Sequence, residues 1–109
     1  MERIRKSSEF ESVYQSGKSY ANRYYVIYMS KNDLGINRLG VSVSKKVGNS
    51  VVRHRIKRLV KESIRLHEEM FNSGLSIVVI ARKDAAVSTY EETTKALLHL
   101  MKLHQAMKS

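Results

Sequence analysis

The side chains best suited to chemistry in this chain are basic, and they are concentrated in one short segment. Positions 45–65 contain eight lysines and arginines and a single acidic residue, Glu62, so the segment holds most of the chain's net charge of +10. The eight are Lys45, Lys46, Arg53, Arg55, Lys57, Arg58, Lys61 and Arg65. Cations at this density bind polyanions by neutralising phosphates and releasing counterions. Nucleic acid or an anionic membrane is therefore the expected partner.

The periodicity of positions 50–70 indicates that most of these cations lie on a long amphipathic helix. At about 100° per residue, the apolar side is predicted to contain Val52, Ile56, Leu59, Val60, Ile64 and Leu66. The opposite side is predicted to contain His54, Lys57, Arg58, Lys61 and Arg65, with Arg53 and Arg55 on its flanks. We expect one face to pack on a sheet and the other to expose a ridge of cations about 30 Å long, at roughly 1.5 Å per residue.

Two other interpretations of this ridge are weaker. A helix face that is merely solvated usually mixes both signs of charge, which this one scarcely does. A basic amphipathic helix could lie on a membrane, but the apolar face is needed to cover the sheet and the polar face lacks aromatic anchors.

The rest of the chain predicts the elements that position this helix. Strands are indicated over 23–30 and 39–44, and the apolar run 75–81 suits a central strand. Capping boxes at 8–11 and 88–91 would begin a first and a last helix. The order α-β-β-α-β-α indicates the α+β class: a two-layer sandwich of a small mixed β-sheet with three helices, in a single domain spanning residues 1–109.

The second predicted strand has one apolar face and one small face. Leu39, Val41 and Val43 alternate with Gly40, Ser42 and Ser44. Because the second set is small, we expect room there for something to lie against the sheet.

Several kinds of chemistry are poorly represented. The chain has no cysteine, which excludes disulfides, thiolate zinc sites and cysteine nucleophiles. No strand-end pair of carboxylates and no His-x-x-x-His spacing suggests a protein-held metal or an acid–base pair. We therefore expect no catalytic residue and no metal ligand. Without a signal peptide or an apolar run of about 20 residues, a cytoplasmic location is the simplest expectation.

Residues 45–62 resemble the signature of the bacterial ribonuclease P protein family. Here the segment reads KKVGNSVVRHRIKRLVKE. The family pattern has a glycine ahead of the helix, then Arg-Asn-Arg, then Lys-Arg and a further basic residue. Ala21-Asn22-Arg23 and Ile80-Ala81-Arg82-Lys83 also match, so the resemblance covers nearly the whole chain. One departure is His54, which stands where the family has asparagine and puts any role of the asparagine carboxamide in doubt.

The resemblance implies a fold and a function. The basic helix would connect two parallel strands by a left-handed crossover, although general priors favour the right-handed form. The chain would be the protein subunit of an endoribonuclease whose catalytic RNA subunit removes the 5′ leader from precursor tRNA. It would hold no cofactor alone, and Mg²⁺ would belong to the RNA-containing holoenzyme. No obligate protein partner is expected.

The resemblance also implies two sets of binding residues. The catalytic RNA would be bound by the helix and the loop before it, through Lys45, Lys46, Asn49, Arg53, His54, Arg55, Lys57, Arg58, Lys61 and Arg65. The single-stranded leader would lie in a cleft between the sheet and the first helix, lined by Phe10, Tyr14, Asn22, Arg23, Tyr28, Ser42 and Ser44.

The residue types fit such a cleft, because unpaired nucleotides bind to aromatic side chains beside cations. Phe10 could equally be a core residue, and Asn22 and Arg23 could simply begin a strand. A general RNA-binding module of ribosomal-protein type remains the alternative function, since fold and charge alone fit both. An autonomous nuclease is disfavoured by the absence of clustered carboxylates.

Overall fold

The computed structural model describes residues 1–108, which form three α-helices and five strands. The strands are β1 (Glu2–Arg3), β2 (Lys18–Ala21), β3 (Tyr25–Lys31), β4 (Arg38–Ser42) and β5 (Leu75–Ala81). The helices are α1 (Ser7–Ser16), α2 (Ser50–Leu66) and α3 (Tyr90–Leu103), and short 3-10 turns lie at Glu68–Met70 and Lys83–Val87. The predicted order of three helices and three strands is confirmed, and β1 and β2 are additional.

The sheet is mixed, as predicted, with strand order β1-β4-β5-β3-β2. Strands β4 and β5 are adjacent and parallel, and α2 lies between them in the chain. Strand β3 pairs antiparallel with both β5 and β2, while β1 pairs parallel with β4. The basic helix is therefore the crossover of a β-α-β unit. The left-handed sense of that crossover stays a prediction.

One side of the sheet is closed by α2 and α3. Alternate residues of β3, namely Tyr25, Ile27 and Met29, point into this side and are buried. The helices contribute the fully buried side chains Ile56, Val60, Ile64, Leu97, Leu100 and Met101. This side therefore contains the main core of the molecule.

The other side is covered only in part, by α1. Its buried cluster consists of Ile4, Val13 and Val78, with half-buried aromatic and aliphatic side chains around it. Gly40 of β4 is essential to this packing. A Cβ atom at position 40 would lie 2.7 Å from two ring carbons of Phe10, so only glycine lets that ring rest on the sheet.

Both predicted capping boxes are wrong by one or two positions. In α1 the Glu9 carboxylate accepts from the Lys6 amide at 3.1 Å, so the helix begins before the predicted box. In α3 the box is formed by Thr89 and Glu92, because the hydroxyl of Ser88 is buried and bonds to Ala85 O and Thr93 Oγ1 instead. At α3 the burial of Ser88 thus decided which of two neighbouring polar residues caps the helix.

Candidate nucleic-acid interface

Helix α2 begins where its sequence provides a cap. The side-chain oxygen of Asn49 accepts from the Val52 amide at 3.0 Å, satisfying one of the free amides of the first turn. Asn49 therefore has a structural role, and its predicted contact with RNA stays a prediction. Lys45 and Lys46 are exposed in the turn that precedes it.

The predicted apolar face of α2 is largely confirmed. Ile56, Val60 and Ile64 are buried, and Val52 and Leu59 are half-buried. Leu66 was placed on this face wrongly, since it is 56% exposed. It lies at the edge of the apolar stripe in the last turn, where neither the sheet nor α3 covers it.

The basic side chains and the histidine on the other face of α2 point outward. His54, Arg58 and Arg65 are exposed, and Lys57 and Lys61 are half-buried. Together they line one shallow groove. We call this surface the α2 ridge and define it as His54, Lys57, Arg58, Lys61 and Arg65.

Almost nothing in the protein neutralises the α2 ridge. Within residues 1–108, Arg65 with Glu62, at 3.0 Å, is the one ion pair that involves a residue of α2. Partial burial lowers the pKa of the Lys61 ammonium, and the nearby charges of Arg3 and Lys57 lower it further. Such mutual repulsion is relieved when a polyanion binds.

Arg3 is a member of this surface that the sequence did not reveal. It lies on β1, beside β4, and lines the same groove as Lys57 and Lys61. Arg5 lines an adjoining groove with Phe10 and these two lysines. A strand of two exposed residues carries no hydrophobic alternation, so no sequence signal could have placed Arg3 here.

The two flanking arginines of α2 behave differently from the ridge. Arg55 donates from Nη2 to the carbonyl oxygen of Ser88 at 2.7 Å, which ties α2 to the segment before α3. Arg53 has a buried Nε that finds no hydrogen-bond partner among residues 1–108. One guanidinium is therefore engaged within the protein, and the other retains an unsatisfied donor.

On the side of the sheet covered by α1, three aromatic rings form a row that is partly open to solvent. The ring centroids of Phe10 and Tyr14 are 6.5 Å apart, and those of Tyr14 and Tyr28 are 4.9 Å apart in an edge-to-face arrangement. All three side chains are half-buried. Burial raises the pKa of the Tyr14 hydroxyl, so it stays a neutral donor at physiological pH. The structure thus brings the three predicted cleft aromatics together.

The predicted serines fall at one end of this row. Ser42 pairs with Ile80 in the same ladder that pairs Gly40 with Val78, so its side chain lies on the α1 side and is half-buried. Ser44 is exposed in the loop after β4, because the strand ends at Ser42 and not at the predicted residue 44. We call the aromatic row of Phe10, Tyr14 and Tyr28, together with Ser42, the aromatic cleft.

Asn22 and Arg23 lie in the turn between β2 and β3, and their side chains differ in how far they are free to contact RNA. The Arg23 side chain is 70% exposed and pairs with Asp84, with Nε 2.8 Å from the carboxylate. The carboxamide of Asn22 is engaged within the protein on both its oxygen and its nitrogen. Exposure therefore supports a binding role for Arg23 more than for Asn22.

No group of three or more His, Cys, Asp or Glu side chains within residues 1–108 is arranged to hold a metal ion. No helix in that range is long and apolar enough to span a bilayer.

These features define a class: a small α+β protein with an exposed and largely unneutralised basic helix face, of the kind that suits a polyanion. A family model described as ribonuclease P matches residues 1–105. The ribonuclease P protein component of Lachnoclostridium phytofermentans is 56% identical over 108 residues, covering 99% of this chain and 93% of the relative. That of Bacillus cereus is 50% identical over 101 residues, covering 92% and 88%.

Solved structures agree. The RNase P protein of Staphylococcus aureus superposes with a TM-score of 0.91 at 37% identity, covering 99% of both chains. That of Thermotoga maritima superposes with a TM-score of 0.86 at 33% identity, covering 94% of this chain and 97% of the other. The chain belongs to the ribonuclease P protein family.

Proposed function

We propose that this chain binds the RNA subunit of ribonuclease P and the 5′ leader of precursor tRNA, and that the RNA subunit carries out the cleavage. Family membership supports a role as part of the enzyme. The surface chemistry supports a division of labour. The chain presents cations and aromatic rings for binding, and within residues 1–108 its acidic side chains form no cluster of three or more that could hold a metal ion.

The observation that carries the proposal is the outward, unneutralised α2 ridge. Its cations are spaced along one face of a single helix, and only Arg65 among them has a carboxylate partner in the described chain. Each phosphate contact releases counterions and contributes affinity that falls with salt. A folded RNA offers the array of phosphates that this spacing requires, so the ridge serves as the site for the catalytic RNA.

The aromatic cleft is the proposed site for the leader. Phe10, Tyr14 and Tyr28 are half-buried and keep part of their rings accessible beside the sheet. Unpaired bases stack on such rings for about 1–3 kcal/mol each, largely independently of sequence. Arg23 at the β2–β3 turn and Lys45 after β4 are exposed cations near the strand ends, where they can meet leader phosphates.

Magnesium enters the proposal only with the RNA. Mg²⁺ prefers hard oxygen ligands and keeps several waters, as phosphate-rich sites allow. By screening phosphate repulsion, the protein would lower the Mg²⁺ concentration that the RNA requires. The proposed place of action is the cytoplasm.

The test is cleavage of precursor tRNA at low Mg²⁺ by three preparations: protein alone, catalytic RNA alone, and the two together. We expect strong stimulation in the mixture and no cleavage by the protein alone. Cleavage by the isolated protein would refute the division of labour.

A matched binding experiment separates this function from a general RNA-binding role. Affinity of the reconstituted complex is measured for precursor tRNA and for the same tRNA without its leader. We expect the protein to improve binding of the leader-bearing substrate selectively. Equal improvement of both would leave only a general RNA-binding module.

A further inference from the structure

Every polar group of Asn22 is used within the protein. Its side-chain oxygen accepts from the amides of Tyr24 and Tyr25, at 3.1 and 3.0 Å. Its side-chain nitrogen donates to Ala96 O at 2.9 Å and faces His99 Nδ1 at 3.3 Å. A carboxamide can make about four such bonds, and three of them are made to protein groups of fixed role, so little of its capacity remains for RNA.

The main chain of Asn22 is held equally firmly. Its amide donates to Tyr25 O at 2.9 Å, and its carbonyl accepts from Arg82 Nη1 at 2.9 Å. The turn at residues 22–25 is thus tied to α3 through Ala96 and to the end of β5 through Arg82. Two weaker, exposed contacts lie at the same turn, from Arg23 to Asp84 and from the Tyr24 hydroxyl to Glu92 at 3.2 Å.

The consequence falls on Arg23. Its side chain is 70% exposed and has two local contacts, the ion pair with Asp84 and the Tyr24 ring, whose centroid lies 5.3 Å from the guanidinium carbon. Exposed contacts of these kinds are each weak. The direction of the Arg23 side chain is therefore set mainly by the backbone of the turn. The Asn22 carboxamide holds that backbone in place by accepting from the Tyr24 and Tyr25 amides. Loss of the carboxamide would leave two amides of the turn without their acceptor.

We infer that Asn22 is a positioning residue, which acts on RNA only through Arg23, by fixing the β2–β3 turn against α3. This inference rests on the proposed function, since Arg23 is taken to meet a phosphate of the leader. It replaces the expectation from sequence that Asn22 itself lines the cleft.

The test is a double-mutant cycle between Asn22→Ala and Arg23→Gln, measured as affinity of the reconstituted complex for precursor tRNA. Each single change is expected to weaken binding about two- to fivefold, the effect of one exposed charge contact. In the Arg23→Gln background, Asn22→Ala should change the affinity no further. A full additional loss in that background would overturn the inference, since Asn22 would then contribute independently.

The second readout uses the protein without RNA. Amide hydrogen exchange of Tyr24 and Tyr25 should accelerate in Asn22→Ala, because their acceptor is gone. Asn22→Ser should give an intermediate rate, since a serine hydroxyl can still accept in a turn of this kind. It also provides a milder variant if the alanine protein fails to fold. Unchanged exchange with weakened leader binding would make Asn22 a direct contact and refute the inference.

The two proposals fail in different ways. If the wild-type complex did not distinguish precursor from mature tRNA, the proposed function would be wrong whatever Asn22 does. If it did distinguish them, and Asn22→Ala left that preference intact, only the positioning role would be lost.

Discussion

The two sides of the sheet differ in how completely helices cover them. The side under α2 and α3 is closed, with Tyr25, Ile27 and Ile77 fully buried. Among residues 1–108, the side under α1 buries a cluster of three hydrophobic residues and leaves its aromatic rings half-buried. Burial of apolar area stabilises the fold, whereas apolar area left partly open is available to a ligand. Stability is thus supplied mainly on one side, and the other is free to bind.

Substitutions on the closed side of the sheet should cause the largest loss in the free energy of unfolding. We predict that Ile64→Ala, which empties a position only 1% exposed, lowers the free energy of unfolding by about 2–5 kcal/mol. The matched control is Leu66→Ala in the same helix, where the side chain is exposed and the change should stay within about 0.5 kcal/mol. Urea denaturation measures both. Similar losses at the two positions would mean that the buried face of α2 has been assigned incorrectly.

The open side should be sensitive at Gly40, for a different reason. Gly40→Ala places a methyl group against the Phe10 ring, and we expect a loss of about 1–3 kcal/mol from overpacking. Because the clash is with the ring, the same substitution should cost much less in a Phe10→Leu background. Thermal unfolding of the four proteins in this cycle tests the coupling, and strictly additive effects would contradict it.

Gly40 also shows what the sequence could and could not reveal. Alternation predicted correctly that residue 40 faces away from the main core and leaves room there. It could not predict that α1 fills that room with Phe10, because the contact joins residues 30 positions apart. The α2 ridge was predictable, since a period of 3.6 residues sorts charges onto a face without tertiary information.

Short and exposed elements escaped prediction. Strands β1 and β2 are exposed along their length and have no buried residues to create a pattern. They form because neighbouring strands offer free backbone groups: Ile4 donates to Leu39 O, for example, at 2.9 Å. For the same reason Arg3 was missed, and the engagement of Asn22 with α3 had no local signal.

The aromatic cleft should discriminate between substrates. We predict that Tyr28→Ala weakens binding of precursor tRNA by about 1–3 kcal/mol if one base stacks there, and leaves mature tRNA nearly unaffected. Tyr20→Ala is the control, because Tyr20 lies on the opposite side of the sheet, edge-on to His104 at 4.7 Å. Competition binding with the two tRNAs measures the difference. Equal losses on both substrates would remove Tyr28 from the leader site.

The smallest effect on affinity is expected on the α2 ridge, where a substitution should change mainly the salt dependence of RNA binding. Arg58→Ala should weaken binding to the catalytic RNA by only about 0.2–1 kcal/mol, yet lower the slope of log affinity against log salt by about 0.7–0.9. Melting temperature should not change, because the side chain is exposed.

Lys95→Ala provides the control for this last change, since it removes the same charge from an exposed position on α3. At physiological salt, charges more than about 8 Å from the RNA are largely screened. Lys95→Ala should therefore leave the slope unaltered. If both variants lowered the salt slope equally, RNA affinity would depend on the total charge of the protein and not on the α2 ridge. The buried face of α2 would still stabilise the fold, but its exposed face would no longer be identified as the binding surface.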